Sequence, residues 1–131
     1  MGILQLGFKN TFKGNQATGF QVPVLNEYYR GTRVSLTEGF DVTVDGETFP
    51  REQVTCTFGT TTLTQDQLDS NSDLIWQYLE PVILNVSKPG GLAPGLHEVK
   101  VSFGQRISYM PPALNLEAGT RTYTAKLAVA I

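Results

Sequence analysis

Few residues in this chain of 131 can carry acid–base or nucleophilic chemistry. It has one histidine, His97, and one cysteine, Cys56. One residue of each type cannot assemble a Cys/His zinc set, and a lone cysteine excludes an internal disulfide. The composition therefore argues against an independent zinc or cupin-type metal site.

His97 lies in a period-2 run with Val99, Val101 and Phe103. This pattern predicts a side chain that points toward the core or toward a buried edge. A general base or a shared metal ligand needs a carboxylate or second ligand nearby, and none stands at a useful spacing. We therefore favour a structural histidine with satisfied hydrogen bonds over a functional one.

The remaining candidates for catalysis are weaker. Cys56 alternates with Val54 and Phe58, which predicts a buried thiol that behaves as a small hydrophobe. No Ser/His/Asp constellation, P-loop or GxGxxG motif is evident. Four carboxylates cluster around one predicted hairpin, where solvated charge is the ordinary interpretation: Asp41, Asp45, Glu47 and Glu52.

Strand patterns dominate the chain. Apolar residues alternate in the segments Leu4–Phe8, Phe20–Val24, Phe40–Val44, Val54–Phe58, Val82–Val86, Val99–Phe103 and Tyr123–Ile131. Asp45-Gly46 predicts a type I′ hairpin turn, because both central positions need positive φ. Thr64 and Gln67 have the spacing of a capping box and predict one short helix that ends near Asn71.

About eight or nine short strands without a long 3.6-residue period predict an all-β fold in a single domain, residues 1–131. The predicted architecture is an antiparallel β-sandwich with at most one short helix, and an open β-barrel is the alternative. The C-terminal strand stays apolar to Ile131, with Lys126 as its one charge from Tyr123 onward. We expect it to be paired inside the sheet or capped by a partner chain.

Three surface segments are candidates for binding. The loop Leu25–Arg33 holds Tyr28, Tyr29 and Arg30, the residue types that protein interfaces favour, although a structural role at the end of the sandwich is equally good. Trp76 could stack on a sugar, but a lone tryptophan is more often a core residue. Arg106 and Tyr109 lie in a segment that ends at two prolines, where Tyr109 suits either a protein contact or the core.

Charge and hydropathy exclude other classes of partner. The net charge is −2 without a Lys/Arg cluster, which gives no electrostatic footprint for nucleic acid or an anionic membrane. The first residues lack a basic region followed by an apolar run, and no apolar stretch reaches the roughly 18 residues that a membrane span needs. We therefore expect a cytosolic protein.

A chain of short motifs resembles the small β subunit of bacterial C-glycoside deglycosidases. The main one is PGGLAPGLHEVKVSFGQRISYMPP, residues Pro89–Pro112. The others, in the same order as in the family, are Tyr28-Tyr29-Arg30-Gly31, Val44-Asp45-Gly46-Glu47 and Trp76 ahead of the strand Val82–Val86. The resemblance runs over most of the chain, from about Gly19 to Pro111.

The resemblance implies a role beside a larger subunit. In that family a xylose-isomerase-like TIM-barrel α subunit holds a divalent metal, manganese or magnesium, together with the acid–base residues. It cleaves the C–C bond between a 3-keto sugar and an aromatic aglycone, such as that of a flavonoid C-glycoside, by β-elimination. The implied β subunit brings no cofactor or catalytic motif of its own. Candidates for the subunit interface or cleft rim are then Tyr28, Tyr29, Arg30, Trp76, Arg106 and Tyr109.

Two other functions remain open from the sequence. A freestanding carbohydrate-binding or immunoglobulin-like module shares the proline-glycine entry into a late strand, at Leu92–Val101. A jelly-roll isomerase that acts alone would need His97 to work with carboxylates and no metal. The sequence lacks the linker that usually tethers a binding module to an enzyme. It also lacks the number of metal ligands that a solitary jelly-roll isomerase usually has.

Overall fold

The computed structural model describes residues 2–26, 31–71, 73–105 and 120–130. Strands make up most of this part of the chain. In chain order they are β1 (Lys9–Lys13), β2 (Gln16–Leu25), β3 (Thr32–Arg33), β4 (Thr37–Val44), β5 (Glu47–Phe49), β6 (Val54–Phe58), β7 (Thr61–Thr64), β8 (Ile75–Trp76), β9 (Pro81–Ser87), β10 (Gly95–Gln105) and β11 (Thr120–Val129).

The strands form two main antiparallel sheets. One has five strands in the order β1-β2-β9-β6-β7, and the other has four in the order β11-β10-β4-β5. The short strands β3 and β8 pair separately. The two main sheets do not close into one barrel, so the predicted β-sandwich is confirmed over its open-barrel alternative.

Each sheet turns its apolar face toward the other, as strict alternation requires. The burial pattern of β6 is the clearest case: Val54, Cys56 and Phe58 are buried, while Thr55 and Thr57 between them are partly exposed. The strands predicted at Phe20–Val24, Phe40–Val44, Val82–Val86 and Val99–Phe103 are found in β2, β4, β9 and β10. Their inward residues make the core.

The predicted hairpin at Asp45-Gly46 is confirmed. Asp45 has φ 51° and Gly46 φ 85°, and Val44 pairs with Glu47 across the turn. The predicted helix is a 3₁₀ helix over Gln65–Ser70, in which the Gln67 side chain accepts a hydrogen bond from the Thr64 amide at 2.9 Å. Two single 3₁₀ turns, Val34–Leu36 and Arg51–Gln53, connect strands.

The strand predicted at Leu4–Phe8 is wrong. Only Ile3 forms a bridge, to Val24, and the chain then turns, with Gly7 at φ 96° and the Phe8 amide donating to the Gln5 carbonyl. Leu6 lies in this turn, 89% exposed. The apolar alternation was misleading because a glycine at positive φ interrupts it.

The C-terminal strand β11 lies at an edge of the four-stranded sheet, paired with β10 on one side. The side chain of Gln5 bonds to both backbone groups of Ala128, donating to its carbonyl at 2.9 Å and accepting from its amide at 2.8 Å. The side-chain amide of Gln5 therefore occupies one position on the edge of β11 that a neighbouring strand would take.

Candidate functional site

His97 is held by two acceptors. Its Nδ1 lies 2.6 Å from Oδ2 of Asp45, and its Nε2 lies 2.7 Å from the carbonyl oxygen of Ala93. A carbonyl can only accept, so Nε2 carries a proton, and the carboxylate favours a second proton on Nδ1. The arrangement therefore favours the imidazolium form of His97, whose side chain is 12% exposed.

Electrostatics agree with this assignment. The hydrogen bond to the Ala93 carbonyl is the largest influence and raises the pKa of His97 above its usual value; burial, the next largest, opposes it, and Asp45 raises the pKa further. The amide of Glu98, which donates to Oδ1 of Asp45 at 2.8 Å, and then His97 lower the pKa of Asp45. Both ring nitrogens of His97 are hydrogen-bonded within the chain, as the structural interpretation predicts.

The turn geometry explains why Asp45 is in place. Asp45 occupies the first central position of the hairpin between β4 and β5, and its own amide donates to the Glu98 carbonyl at 2.9 Å. Since β4 and β10 are neighbours, this turn lies over the beginning of β10. The carboxylate thus connects the hairpin to the strand that carries His97.

Cys56 is the other residue with reactive potential, and it is fully buried in β6. Burial raises the pKa of its thiol to about 12. The thiolate, which is the nucleophilic form, is therefore nearly absent at neutral pH. The prediction of a small buried hydrophobe is confirmed.

The remaining carboxylates of the cluster are partly paired on the surface. Asp41 accepts two hydrogen bonds from Arg51, at 2.9 and 3.0 Å, and the two side chains are about half exposed. Glu47 lies 3.9 Å from Lys88. Within the described ranges, no three His, Cys, Asp or Glu side chains converge as metal ligands would.

Trp76 lies in the core and has no exposed surface. Its ring centroid is 5.4 to 5.9 Å from those of Phe40, Phe58 and Phe103. Its indole nitrogen donates to the Glu80 carbonyl at 2.6 Å. Buried on all sides, the ring cannot stack on a sugar or line an interface in this conformation, so the core alternative describes it.

Trp76 instead fixes the turn that follows it. The buried Asn26 donates to the Trp76 carbonyl at 2.7 Å, and the Leu79 amide donates to the Asn26 carbonyl at 2.7 Å. Leu79 is held at φ 60°, a conformation that costs a non-glycine residue energy. Tyr78 and Leu79 are each 50% exposed on this braced turn.

The other five predicted interface residues, Tyr28, Tyr29, Arg30, Arg106 and Tyr109, lie outside the described residues. The residues that flank the first three are described. Asn26 bonds to Trp76, and a Cβ on Gly31 would lie 3.3 Å from the Trp76 carbonyl oxygen. The described residues on either side of positions 27–30 therefore lie beside the Trp76–Glu80 turn, an adjacency that the sequence did not predict.

A surface groove of about 610 Å³ runs beside β1, where Phe12 is 49% exposed. Among its polar lining residues, Gln5 is committed to Ala128, and Asn10 bonds to both backbone groups of Leu92 at 2.8 Å. Side-chain amides that are already paired are poor ligands for a sugar hydroxyl. The groove gives little support to carbohydrate binding.

Comparison with known proteins agrees with the resemblance seen in the motifs. A family model for the C-glycoside deglycosidase beta subunit matches residues 2–109. The chain belongs to this family. It is 36% identical over 113 residues to a C-glycoside deglycosidase beta subunit of Eubacterium cellulosolvens, an alignment that covers 86% of this chain and 77% of the relative.

Membership in a family of beta subunits implies a partner subunit in a complex. Among the described residues, no helix is long and apolar enough to cross a bilayer. The family description and the observed fold thus agree with the sequence on the subunit role and on the β-sandwich.

Proposed function

We propose that this chain is an accessory subunit of a C-glycoside deglycosidase whose catalytic residues lie on the partner chain. The observation that carries the proposal is the state of the only histidine and the only cysteine in the sequence. His97 has both ring nitrogens occupied, and Cys56 is a buried thiol with a pKa of about 12. Both side chains are thus engaged or buried within the chain, which supports a catalytic site on the partner.

The proposed partner is an α subunit with a xylose-isomerase-like TIM barrel, which holds a divalent manganese or magnesium ion. Its reaction is cleavage of the C–C glycosidic bond of a 3-keto C-glycoside. The ketone at C3 acidifies the proton on C2, so a base can form an enolate that expels the aromatic aglycone by β-elimination. This lyase chemistry requires a base and an electrophile, which the partner supplies in this proposal.

The contribution of the present chain is then positional. A rigid sandwich can hold the active-site loops of a barrel in place or roof the cleft over the substrate. Either task excludes water and orders loops, and both raise the rate without a residue that touches the reacting atoms. The braced Trp76–Glu80 turn, with Tyr78 and Leu79 half exposed, is a surface suited to such contacts. We place the hetero-oligomer in the cytoplasm, where a free buried cysteine is stable.

The direct test is co-expression of this chain with a metal-binding barrel protein encoded beside it. Light scattering after size exclusion should show a hetero-oligomer, and the complex should release aglycone from a 3-keto C-glucoside while neither chain does so alone. His97→Gln should form the complex and retain turnover. If His97→Gln assembles normally but abolishes turnover, the catalytic assignment to the partner is wrong.

The competing function is a freestanding binding module. It predicts a monomer that ignores every neighbouring gene product and binds sugar in calorimetry. That result would replace the accessory-subunit proposal.

A further inference from the structure

The outward faces of the two sheets differ in charge. Charged residues make up 17% of the sequence. Yet the four adjacent strands β2, β9, β6 and β7 contain no Asp, Glu, Lys, Arg or His at any position. The opposite sheet points Asp41, Glu98, Lys100 and Lys126 outward, as a solvated sheet face usually does.

We call the outward surface of these four strands the neutral face. Its central residues are Gln21, Thr55, Thr57, Thr62, Ile83 and Asn85. Depletion of charge distinguishes the buried centre of a protein interface from the rest of a protein surface. Charge is found instead at the margin, where Lys9 of β1 pairs with Gln21 and where Glu52, just before β6, lines a shallow groove together with Thr55 and Asn85.

The polar groups of the neutral face are already bonded to one another. The Gln21 side chain donates to the side-chain oxygen Oδ1 of Asn85 at 2.8 Å, and Nδ2 of Asn85 donates to the hydroxyls of Thr55 and Thr57 at 3.2 and 3.0 Å. The Thr57 and Thr62 hydroxyls lie 2.8 Å apart. The bonds cross four strands, so removing water from this surface leaves few polar groups without a partner.

The size and shape of the face suit a protein better than a small ligand. Four strands at about 4.8 Å spacing and about seven residues at 3.4 Å each span roughly 19 by 24 Å, or about 460 Å². A standard interface buries about 800 Å² on each partner, so the face supplies a little more than half of such an interface and its margins supply the rest. The four strands place no aromatic ring on this face, since Phe20 and Phe58 point inward, so a sugar finds no stacking platform.

The face also continues into exposed apolar residues at one end. Leu25 and Pro81 pair across β2 and β9 there, next to the row that contains Ile83. Tyr78 and Leu79, both half exposed, lie on the braced turn just before β9, separated from Pro81 by the charged residue Glu80. Rigid aromatic and aliphatic anchors beside a satisfied polar sheet are the arrangement found at interface hot spots.

We propose that the neutral face is the docking surface for the catalytic partner subunit, and this rests on the accessory-subunit function proposed above. The occupant is a folded protein that presents a flat, uncharged patch of similar area. The opposite, charged sheet faces solvent in the complex.

The chain offers matched variants for the test. Thr57 and Thr43 each belong to a cross-strand threonine pair, with hydroxyls 2.8 and 2.9 Å apart, on opposite sheets. Thr57→Arg places an unpaired charge in the centre of the neutral face and should weaken binding of the partner at least about 30-fold. Thr43→Arg, beside Lys100 on the charged face, should change the Kd by less than about threefold.

Because the Thr57 hydroxyl accepts from Asn85, thermal unfolding should first establish that Thr57→Arg is folded. If it is not, Thr62→Arg and Thr48→Arg replace the exposed members of the same two pairs. A folded neutral-face variant that binds as tightly as wild type overturns the docking surface and leaves the accessory function intact. The docking surface is also overturned if the neutral-face variant and its charged-face control weaken binding of the partner equally. If the wild-type chain binds no partner, both proposals fail.

Discussion

His97 and Asp45, 52 residues apart in the sequence, form a 2.6 Å contact between Nδ1 and Oδ2. The contact joins the tip of the β4–β5 hairpin to the beginning of β10. Both partners are shifted toward their charged forms, His97 toward a higher pKa and Asp45 toward a lower one. The contact therefore makes stability depend on pH in two directions.

The first prediction concerns this dependence. Because the pKa of His97 is raised above 6.5 in the folded state, its contribution is complete below pH 6.5 and is lost as pH rises through the folded value. The pKa of Asp45 is lowered below 3.8, so its contribution is complete above pH 3.8 and is lost as pH falls through the folded value. The pair should stabilise the fold most between these limits.

We therefore expect His97→Gln to lower the free energy of unfolding by about 1 kcal/mol at pH 5.5, a modest value because Asp45 is half exposed. The difference from wild type should shrink above neutral pH, as measured by urea unfolding. Asp45→Asn is the control, since asparagine tolerates positive φ and keeps an acceptor for the Glu98 amide. Parallel pH curves for wild type and His97→Gln would contradict the ion pair.

The second prediction is that Cys56 is inert in the folded chain. A buried thiol with a pKa of about 12 presents almost no thiolate, so a disulfide reagent should react only when the sandwich opens. The labelling rate should follow the free energy of unfolding across urea concentrations. Cys56→Ala should be milder than Cys56→Ser, which buries a hydroxyl at a cost of about 1–3 kcal/mol. Fast labelling under native conditions would refute the burial.

The third prediction separates the core role of Trp76 from an interface role. Trp76→Ala removes three ring contacts and should cost about 3–5 kcal/mol of stability in chemical unfolding. Tyr78→Ala, at a half-exposed position two residues away, should cost less than about 1 kcal/mol. Trp76 is the only tryptophan in the sequence, so its fluorescence reports unfolding of the wild type and of Tyr78→Ala, while unfolding of Trp76→Ala is followed by circular dichroism. Similar losses for the two variants would contradict the assigned roles.

Local patterns predicted the strands well because inward and outward residues alternate along a strand regardless of which neighbour it acquires. The Asp45-Gly46 turn was predictable because it is also a local feature: its positive φ values depend only on the two residues themselves. The Leu4–Phe8 strand failed where a glycine at positive φ broke a pattern that was otherwise apolar.

Contacts between distant strands were not predictable from the sequence. The carboxylate that His97 needs comes from a hairpin that reaches it only because β4 and β10 are neighbours. The uncharged stretches Gln16–Leu25, Val54–Phe58, Thr61–Thr64 and Pro81–Ser87 are visible in the sequence, but only the order β2-β9-β6-β7 unites them in one face. Trp76 could be placed in the core only as one of two alternatives.

The fourth prediction concerns the strained backbone at Leu79. Its φ of 60° is held by the amide bond to the Asn26 carbonyl, and an L-residue with a Cβ loses about 1 kcal/mol in this conformation. Both Leu79→Gly and Leu79→Ala remove the half-exposed isobutyl group. Leu79→Gly also removes the backbone penalty of positive φ, whereas Leu79→Ala retains that penalty. We expect Leu79→Gly to be the more stable of the two by about 1 kcal/mol in urea unfolding.

The same pair of variants tests whether Leu79 is a partner contact. If the side chain anchors the partner, both variants should weaken association by similar factors despite their different stabilities, since both lack the isobutyl group. If the conformation of the turn matters instead, only the more flexible Leu79→Gly should weaken association. An alanine variant more stable than the glycine variant would show that the turn relaxes away from φ 60°, and the bracing by Asn26 and Trp76 would then not hold.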